Sequence, residues 1–234
     1  VSSVTPTATA KPAAKNAIDE ALKAKEAQLD ARADLTAEEK KAAKAEAQAK
    51  ATAAKQAIDN ATSNATVDSA KTSGVTDVES VNPQVSQKKT DAKNAVDEAL
   101  KAKEAVIDAN NDLTAEEKAK AKEDAKAKAD AAKTAIDNAT TNDAVTQAKN
   151  DGAASVDSVN PTAEAKPAAK KAIDDALKVK NDAIDANNDL TAEEKAKAKE
   201  DAKAKADAAK TAIANATIND AVTQAKNNGA TSVD

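Results

Sequence analysis

A stretch reading LTAEEKAKAKEDAKAKADAAKTAI begins at Leu113 and returns unchanged at Leu190. A looser copy begins at Leu35, so the starts lie about 78 and about 77 residues apart, a period typical of tandem structural repeats. The chain therefore contains three copies of one supersecondary unit. Any fold that fits one copy has to fit all three, and the apolar face of each copy has to be buried within this short period.

The repeated stretch carries the start signal of a helix. Thr114 followed by Glu117 is a capping box, in which each side chain accepts a hydrogen bond from a free backbone N–H of the first turn. The same pair recurs as Thr36/Glu39 and Thr191/Glu194. The sequence predicts a helix from this cap to about Asn138, with a core face made almost wholly of alanine. Its apolar residues recur every three or four positions, at Ala121, Ala125, Ala129, Ala132, Ile136 and Ala139.

A larger aliphatic stripe precedes each cap and predicts the first helix of the repeat. Each repeat opens at a proline, and Asn82-Pro83 and Asn160-Pro161 predict an N-cap followed by proline at the first helical position. Pro6 opens the first repeat without such a cap. The stripe comprises Ile18, Leu22 and Leu29, then Val96, Leu100 and Ile107, then Ile173, Leu177 and Ile184.

A second proline refines where this first helix begins. Pro12 and Pro167 predict that the regular helix starts there in repeats 1 and 3, whereas Thr90 at the same place allows an earlier start in repeat 2. The helix is expected to end at Asn110-Asn111-Asp112, residues that tolerate a left-handed C-cap. Helix three and the next first helix are expected to meet with almost no linker, which predicts a stiff junction.

The third apolar stripe passes through a glycine in every repeat. Val145, Ala148, Gly152, Val156 and Val159 have helical spacing, so we expect one helix running through the glycine. The alternative is that the glycine caps a shorter helix and a second short one follows. Preserved spacing favours continuity, and a glycine on the core face permits close helix packing. The equivalent glycines are Gly74 and Gly229.

Composition argues against an enzyme. The chain has no His, Cys, Met, Phe, Tyr or Trp, so it lacks a base that titrates near neutral pH, a thiolate nucleophile and zinc ligands. Its three glycines occupy equivalent repeat positions and cannot form a phosphate-binding loop. A net charge of -5 on 35 basic and 40 acidic residues, together with abundant alanine, favours helix over disorder. We expect no catalytic, cofactor-binding or metal site.

Two local motifs have simpler structural readings. Asp108, Asn110 and Asp112 have the initial spacing of a calcium loop, but Leu113 replaces the required glycine and Ala119 the final glutamate. A helix-to-helix turn is the favoured interpretation. The N-x-Thr sequons are interpreted as polar turn residues rather than glycosylation sites, and they start at Asn60, Asn64, Asn138 and Asn215.

The lysines of the second helix do not indicate nucleic-acid binding. Acidic residues are interleaved with them, as in Glu116/Lys120 and Asp124/Lys128, which are spaced for ion pairs along one helix. The total charge is acidic and no aromatic side chain is present to stack on a base. The apolar faces are too rich in alanine to anchor in a membrane. The lysines concerned are Lys118, Lys120, Lys122, Lys126 and Lys128.

The segment AIDDALKVKNDAIDANNDLTAEEKAKAKEDA from Ala172, with TAIANATINDAVTQAKNNG from Thr211, closely resembles the DUF1542 repeats of giant Gram-positive surface proteins. The resemblance covers all three repeats. It implies a cell-wall-attached protein with a helical, rod-like stalk and a role in adhesion or biofilm formation. It supplies no catalytic or ligand residues, and the absence of an initiator Met and a signal peptide predicts an internal segment of such a protein.

The predicted fold is all-α, with tandem three-helix bundles stacked end to end into an elongated rod. The predicted boundaries are a preceding tail at 1–5 and repeats at 6–82, 83–160 and 161–234. The predicted function is a non-catalytic stalk or spacer of an extracellular, cell-wall-anchored adhesin, as a monomeric rod without cofactors. Binding of a host matrix or serum protein, and association with another copy in biofilm, stay open as alternatives.

Overall fold

The computed structural model describes residues 9–234, and within them the chain forms nine α-helices, three in each repeat. Pro6 and the predicted tail at 1–5 lie outside the described residues. The tandem helical bundles expected from the sequence are confirmed. In chain order the helices are α1 (Ala10–Asp30), α2 (Ala37–Asn60), α3 (Asn64–Glu79), α4 (Gln87–Ala109), α5 (Ala115–Asn138), α6 (Asn142–Asp157), α7 (Ala165–Ala186), α8 (Ala192–Asn215) and α9 (Asn219–Val233).

The chain divides into two compact units, each holding one complete repeat together with the part of the middle repeat that packs against it. The first unit comprises Val1–Val96 and Ala132–Asp151, and the second comprises Asp97–Ala131 and Gly152–Asp234. Helices α1, α2 and α3 pack against one another in the first unit, and α7, α8 and α9 do so in the second. Each contact between consecutive repeats therefore lies wholly inside one unit.

The predicted stripes form the cores. In the first unit, Ile18 of α1 and Ile58 of α2 are completely buried, and in the second Ile173 and Ile213 take the same places. Leu22, Leu100 and Leu177 are only half-buried, and each packs against one of the buried clusters. The alanine face predicted for α5 is confirmed, with at most 9% exposure at Ala121, Ala125, Ala129, Ala132, Ile136 and Ala139.

Helices α4 and α5 of the middle repeat are linked inside each unit. Lys93 pairs with Asp137 at 2.8 Å in the first unit. Lys122 pairs with Asp108 at 2.6 Å in the second. These exposed pairs each contribute little energy, but they show which faces of α4 and α5 are adjacent.

The third helix of every repeat is continuous, as the preserved spacing predicts. Helices α3, α6 and α9 run through Gly74, Gly152 and Gly229 without interruption. A Cβ atom at Gly74 would overlap the Cβ of Ala54 and lie 2.8 Å from Ile18 Cδ1. Glycine is required there because α3 approaches α2 too closely for any side chain.

The predicted helix starts at Asn82-Pro83 and Asn160-Pro161 are wrong. Helix α4 begins at Gln87 and α7 at Ala165, so residues 80–86 and 158–164 form linkers between helices where almost none was expected. In α4, Ser86 is the residue that caps the helix, with its Oγ accepting from the Lys89 N–H at 3.2 Å. The first N–H of α7 has a remote partner, described below, which no local pattern predicts.

The second prolines are inside the helices rather than at their first residue. Helices α1 and α7 begin two residues before Pro12 and Pro167. A proline in the first turn leaves no hydrogen bond broken, because that N–H has no partner within the helix. In the middle repeat α4 begins three residues before Thr90, which is one residue earlier at this position than in the other two repeats.

The left-handed C-cap expected at Asn110-Asn111-Asp112 is absent: within the described chain no non-glycine residue has a positive φ. The turn closes instead through a side chain, because Asn110 Oδ1 accepts from the Asp112 N–H at 3.0 Å. Asn187 and Asp189 repeat this bond at 2.9 Å. An asparagine that bonds two residues ahead reverses the chain without entering the left-handed region.

Candidate functional site

The contact between consecutive repeats is the most distinctive polar arrangement in the molecule, and we call it the junction. The earlier repeat contributes the start of its second helix and the turn before it. The following repeat contributes the start of its first helix and the turn between its second and third helices. The junction of repeats 1 and 2 lies in the first unit, and that of repeats 2 and 3 in the second.

A backbone hydrogen bond lies at the centre of each junction. The Ala37 N–H, at the first residue of α2, donates to the carbonyl of Thr140 at 2.8 Å. The Ala115 N–H, at the first residue of α5, donates to Thr217 at 2.8 Å. The first N–H groups of a helix have no acceptor within the helix. At each junction the next repeat supplies a carbonyl acceptor for one of them.

The first glutamate after each cap binds the following repeat. Glu38 Oε2 accepts from the Asn142 N–H at 3.1 Å, and Glu116 Oε2 accepts from the Asn219 N–H at 3.0 Å. Asn142 and Asn219 are the first residues of α6 and α9. A carboxylate is favoured at this place because the N-terminus of a helix carries partial positive charge.

The second glutamate has two roles, because its carboxylate completes the predicted capping box and also reaches the next repeat. Glu39 Oε2 accepts from the Thr36 N–H at 2.8 Å, while its Oε1 accepts from the Ser86 hydroxyl at 2.9 Å. The cap on α2 thus also holds the residue that caps α4. Both halves of the capping box are present in repeats 1, 2 and 3.

Glu117 makes the same bridge at the second junction. Its Oε2 accepts from the Thr114 N–H at 2.9 Å, and its Oε1 accepts from the N–H groups of Glu164 and Ala165, each at 2.9 Å. Burial of the carboxyl opposes ionisation, but the bonds from Thr114, Ala165 and Glu164 outweigh it and hold the pKa of Glu117 below its usual value. The charged form therefore stabilises the start of α7, which has no side-chain cap of its own.

A buried lysine closes each junction from the other side. Lys89 Nζ donates to the carbonyl of Asp137 at 2.8 Å within its own repeat and to that of Ala33 in the preceding repeat at 3.4 Å. Lys166 Nζ donates to Ala214 and Asn111, both at 2.8 Å. Both residues are only 5% exposed. Carbonyls near the end of a helix carry partial negative charge, so a lysine is well placed to satisfy them.

The junction buries residues whose counterparts in repeat 3, where no other repeat is docked, are more exposed. Thr36 and Thr114 are 0% exposed, and the leucines before them are almost as deeply buried. Thr191 occupies the same place in repeat 3 and is exposed, while Leu190 is only half-buried. Docking of the next repeat thus accounts for the burial at the other two sites.

One charged residue distinguishes the first junction from the second. Arg32 forms an ion pair with Asp34 at 2.6 Å and donates to the carbonyl of Pro83 in the linker at 3.3 Å. Asn110 and Asn187 occupy its place in the other repeats. The bonds shared by both junctions therefore define the common interface, and Arg32 adds a contact to the linker at one of them.

The residues with calcium-loop spacing form the turn between α4 and α5. The Asp108 carboxylate binds Lys122, and Asn110 accepts from Asp112, so both side chains have structural partners. Across residues 9–234, no group of three or more acidic side chains is placed to hold a metal ion. The sequons lie at the turns between the second and third helices, with Asn60, Asn138 and Asn215 ending helices and Asn64 beginning one.

The lysines of α5 contact carboxylates and other polar groups of their own repeat. Lys126 pairs with Asp130 at 2.5 Å, one turn along the helix. The sequence predicts the pairs Glu116/Lys120 and Asp124/Lys128 along the helix. In the structure Glu116 contacts Asn219, and Lys128 contacts Ser158. None of the described helices is both long and apolar enough to cross a membrane.

Sequence reasoning identified the glutamates as caps but missed the junction they form. It also missed Lys89 and Lys166, whose partners lie 48 to 56 residues away along the chain. One signal was available in the sequence. The lysine recurs at the same position in each repeat, and so does the pair of consecutive glutamates that follows each capping threonine. A capping box explains the second glutamate, whereas nothing local explains the repeated lysine or the first glutamate.

Three copies of one three-helix unit, joined twice by the same set of bonds, define a tandem-repeat helical protein. The family described as "Domain of Unknown Function (DUF1542)" matches residues 10–86, 88–164 and 165–234, and the chain belongs to this family. The resemblance stated from the sequence is thereby confirmed.

The chain is also similar to curated staphylococcal proteins. It is 30% identical over 141 residues to the extracellular matrix-binding protein EbhA of Staphylococcus aureus strain Newman, which covers 60% of this chain and 4% of that protein. The extracellular matrix-binding protein ebh of strain NCTC 8325 matches at 30% over 60% of this chain and 2% of its own length. The chain thus spans only a small fraction of these relatives. No solved structure was found to match it.

Proposed function

We propose that this chain is a non-catalytic spacer in the stalk of a bacterial surface protein, which holds an adhesive region away from the cell wall. The observation that carries the proposal is the recurrence of one junction between consecutive repeats, with the backbone bonds Ala37 to Thr140 and Ala115 to Thr217 at the same 2.8 Å distance. An interface that recurs in this way lengthens an array by identical steps.

The chemistry of the junction supports a stiff connection. Each junction holds the next repeat at its first helix, through Lys89 or Lys166, and at its second turn, through Thr140 or Thr217. A single covalent linker would permit the repeats to bend and twist relative to each other. Two attachment sites far apart in the sequence oppose both motions. Linkers without such contacts behave as flexible chains.

The relatives and the composition support a non-enzymatic role on the cell surface. The related proteins are named as extracellular matrix-binding proteins, and this name supports a location outside the cell. The chain carries no His or Cys for acid-base or nucleophilic chemistry at neutral pH. We place the repeat boundaries at 6–82, 83–160 and 161–234, with attachment to the wall through other parts of the protein.

Matrix binding is the second candidate, favoured by the printed name of the relatives. A binding surface usually concentrates its energy in a few aromatic or arginine anchors. This chain has no aromatic residue. Its single arginine, Arg32, is engaged by Asp34 and Pro83. We therefore rank the spacer first.

Small-angle scattering on chains of two, three and four repeats tests the spacer. A helix of 24 residues is about 36 Å long, so the maximum dimension should grow by a constant 35 to 45 Å or so per repeat. Little or no growth would contradict the proposal. Binding of the same chains to a panel of purified matrix proteins tests the second candidate, and saturable binding without growth in length would favour it over the spacer.

A further inference from the structure

Repeats 2 and 3 differ in how many of their helix starts carry a side-chain cap. In repeat 2 every helix has one, on Ser86 for α4, Thr114 for α5 and Thr141 for α6. In repeat 3 the capping box of α8 is present. Helix α7 starts after Glu164 and α9 after Ile218, and the structure of the described residues shows no side-chain capping bond at either start. Two helix starts of repeat 3 are therefore not capped by that repeat's own side chains.

Repeat 2 supplies acceptors at these same two starts. Glu117 Oε1 accepts from the N–H groups of Glu164 and Ala165 at the start of α7, each at 2.9 Å. Glu116 Oε2 accepts from the Asn219 N–H at the start of α9, at 3.0 Å. The first N–H groups of a helix have no acceptor within it, so these carboxylates do for α7 and α9 what a cap of their own would do.

The corresponding glutamates of repeat 1 contact helices that are already capped. Glu38 accepts from the Asn142 N–H at 3.1 Å, but Thr141 caps the same helix start. Glu39 accepts from the Ser86 hydroxyl, and Ser86 itself caps α4. The two junctions thus place their glutamates alike but differ in what these residues supply. Without repeat 1 the helices of repeat 2 keep their side-chain caps, whereas without repeat 2 two helices of repeat 3 have none.

We propose that repeat 3 folds on repeat 2, because Glu116 and Glu117 take the place of the caps that α9 and α7 lack. The free energy of the junction stabilises both repeats equally, since such coupling is reciprocal. The order of folding comes instead from the intrinsic stability of each repeat, because a missing cap lowers the folding equilibrium constant of its helix by about 2- to 30-fold.

The order of folding runs from repeat 2 to repeat 3, which is also the order in which the chain is synthesised. A repeat that is already folded therefore presents the two carboxylates before the helices that need them are complete. This goes beyond the spacer, which requires only that consecutive repeats are joined.

The test removes each glutamate in the presence and in the absence of a cap on the helix it contacts. In repeat 3, Glu116→Ala is made alone and together with Ile218→Thr, which adds a cap at a residue that already has the extended backbone of an N-cap. In repeat 2, Glu38→Ala is made alone and together with Thr141→Ile, which removes the cap of α6. Each comparison stays within one repeat of the full chain, so it does not depend on how many neighbours that repeat has.

Glu116 suits this test better than Glu117, because Glu117 also completes the capping box of its own helix. The side chains of Glu116 and Glu38 are both exposed, so their removal leaves no cavity in a core. Their bonds to the next repeat have nearly the same length, at 3.0 and 3.1 Å, which makes the two substitutions a matched pair.

Native-state amide exchange at two depths of each helix is the readout. The Val222 N–H makes the first backbone bond of α9, to the Ile218 carbonyl at 3.1 Å, and Val145 makes the same bond in α6. Gly229 lies farther along α9, where it packs closely on α8, so its amide reports separation of α9 from the bundle. Gly152 is the buried glycine at the same place in α6.

Glu116→Ala should speed exchange about tenfold at both Val222 and Gly229, and Ile218→Thr should reduce that factor to about twofold. Glu38→Ala should act about twofold at Val145 and Gly152, and about tenfold once Thr141→Ile has removed the cap. Factors that are equal with and without the cap would overturn the proposal. Acceleration at Val222 that leaves Gly229 unchanged would also overturn it, because the effect of repeat 2 would then end at the first turn of α9.

Discussion

The backbone N–H of Ala115 donates to the carbonyl of Thr217 at 2.8 Å, and this bond joins the start of one repeat's second helix to a turn in the next repeat. Ala37 and Thr140 make the same bond at the other junction. This backbone bond depends on the helix start having the right geometry, and the recurring glutamate and lysine bonds are added around it. The looser sequence of repeat 1 can therefore form the same junction as repeat 2.

Replacing Ala115 with proline tests that bond. The substitution removes the N–H and puts the proline ring against the Thr217 carbonyl, while the capped helix start tolerates proline at its first residue. Loss of a typical hydrogen bond costs about 0.5–1.5 kcal/mol, and the steric conflict adds to it. Amide exchange at the start of α9, next to Thr217, should accelerate markedly.

Ala192→Pro is the matched control for this prediction, because it changes the same position of repeat 3, where no following repeat is docked. It should leave amide exchange at the start of α9 unchanged. If amide exchange at the start of α9 accelerated equally in the two variants, proline would be disturbing the second helix itself. The effect of Ala115→Pro could then not be assigned to the junction bond.

Elements whose signals are local could be predicted from the sequence. The alanine stripe ending at Ile136 was predictable because helical spacing alone sets which face is buried, and Ile136 is 0% exposed. The capping box at Thr114 and Glu117 was predictable because both partners lie within one turn. Continuity through Gly152 followed from spacing that stays helical on both sides.

Elements whose partners are remote could not be predicted. The first N–H of α7, at Ala165, donates to Glu117, and no local signal in the sequence around Pro161 shows this partner. Lys89 looks like any surface lysine until the fold brings the carbonyls of Ala33 and Asp137 to it. The sequence therefore predicted the capping boxes of the junction, but it did not predict that these residues contact the next repeat.

Gly74→Ala is expected to destabilise repeat 1. Alanine favours helix over glycine by about 1 kcal/mol, but its Cβ would overlap that of Ala54 and crowd Ile18. Overpacking of a core typically costs about 1–3 kcal/mol, so the net change should be a loss. Denaturation followed by far-UV circular dichroism measures it, and Ala54→Gly in the same chain should recover part of the loss. A gain in stability from Gly74→Ala alone would contradict the close α2–α3 packing.

Ile218→Thr is expected to stabilise the start of α9. Ile218 occupies the N-cap position with extended backbone, makes no capping bond and is 43% exposed. Thr141 has this position in repeat 2, where its Oγ accepts from the Ala144 N–H at 3.2 Å. A threonine cap should add about 0.5–2 kcal/mol of local stability and slow amide exchange at Ala221. Thr141→Ile should do the reverse at Ala144, and a null result in both variants would remove capping as the explanation.

Acid is expected to weaken the second junction through Glu117. Hydrogen bonds hold the pKa of this carboxyl below its usual value in the folded chain, despite the opposing effect of burial. A lowered pKa contributes stability that is present above the unfolded value of about 4.3 and is lost as pH falls through the folded value. The junction should therefore be unaffected between neutral pH and about 5, and should loosen below about 4.

The readout is the amide shifts of Glu164 and Ala165, which donate to the Glu117 carboxylate and should titrate with it in acid. Glu117→Gln keeps an acceptor oxygen but has no charge to lose, so this titration should vanish and the two amides should be less protected at neutral pH. Glu194→Gln is the matched control, because Glu194 also has a lowered pKa but bonds only to Thr191 of its own cap. It should leave the titration of Glu164 and Ala165 intact. If these amides still titrated in Glu117→Gln, another group would control the acid response, and the bridge from α5 to α7 would lose its proposed role.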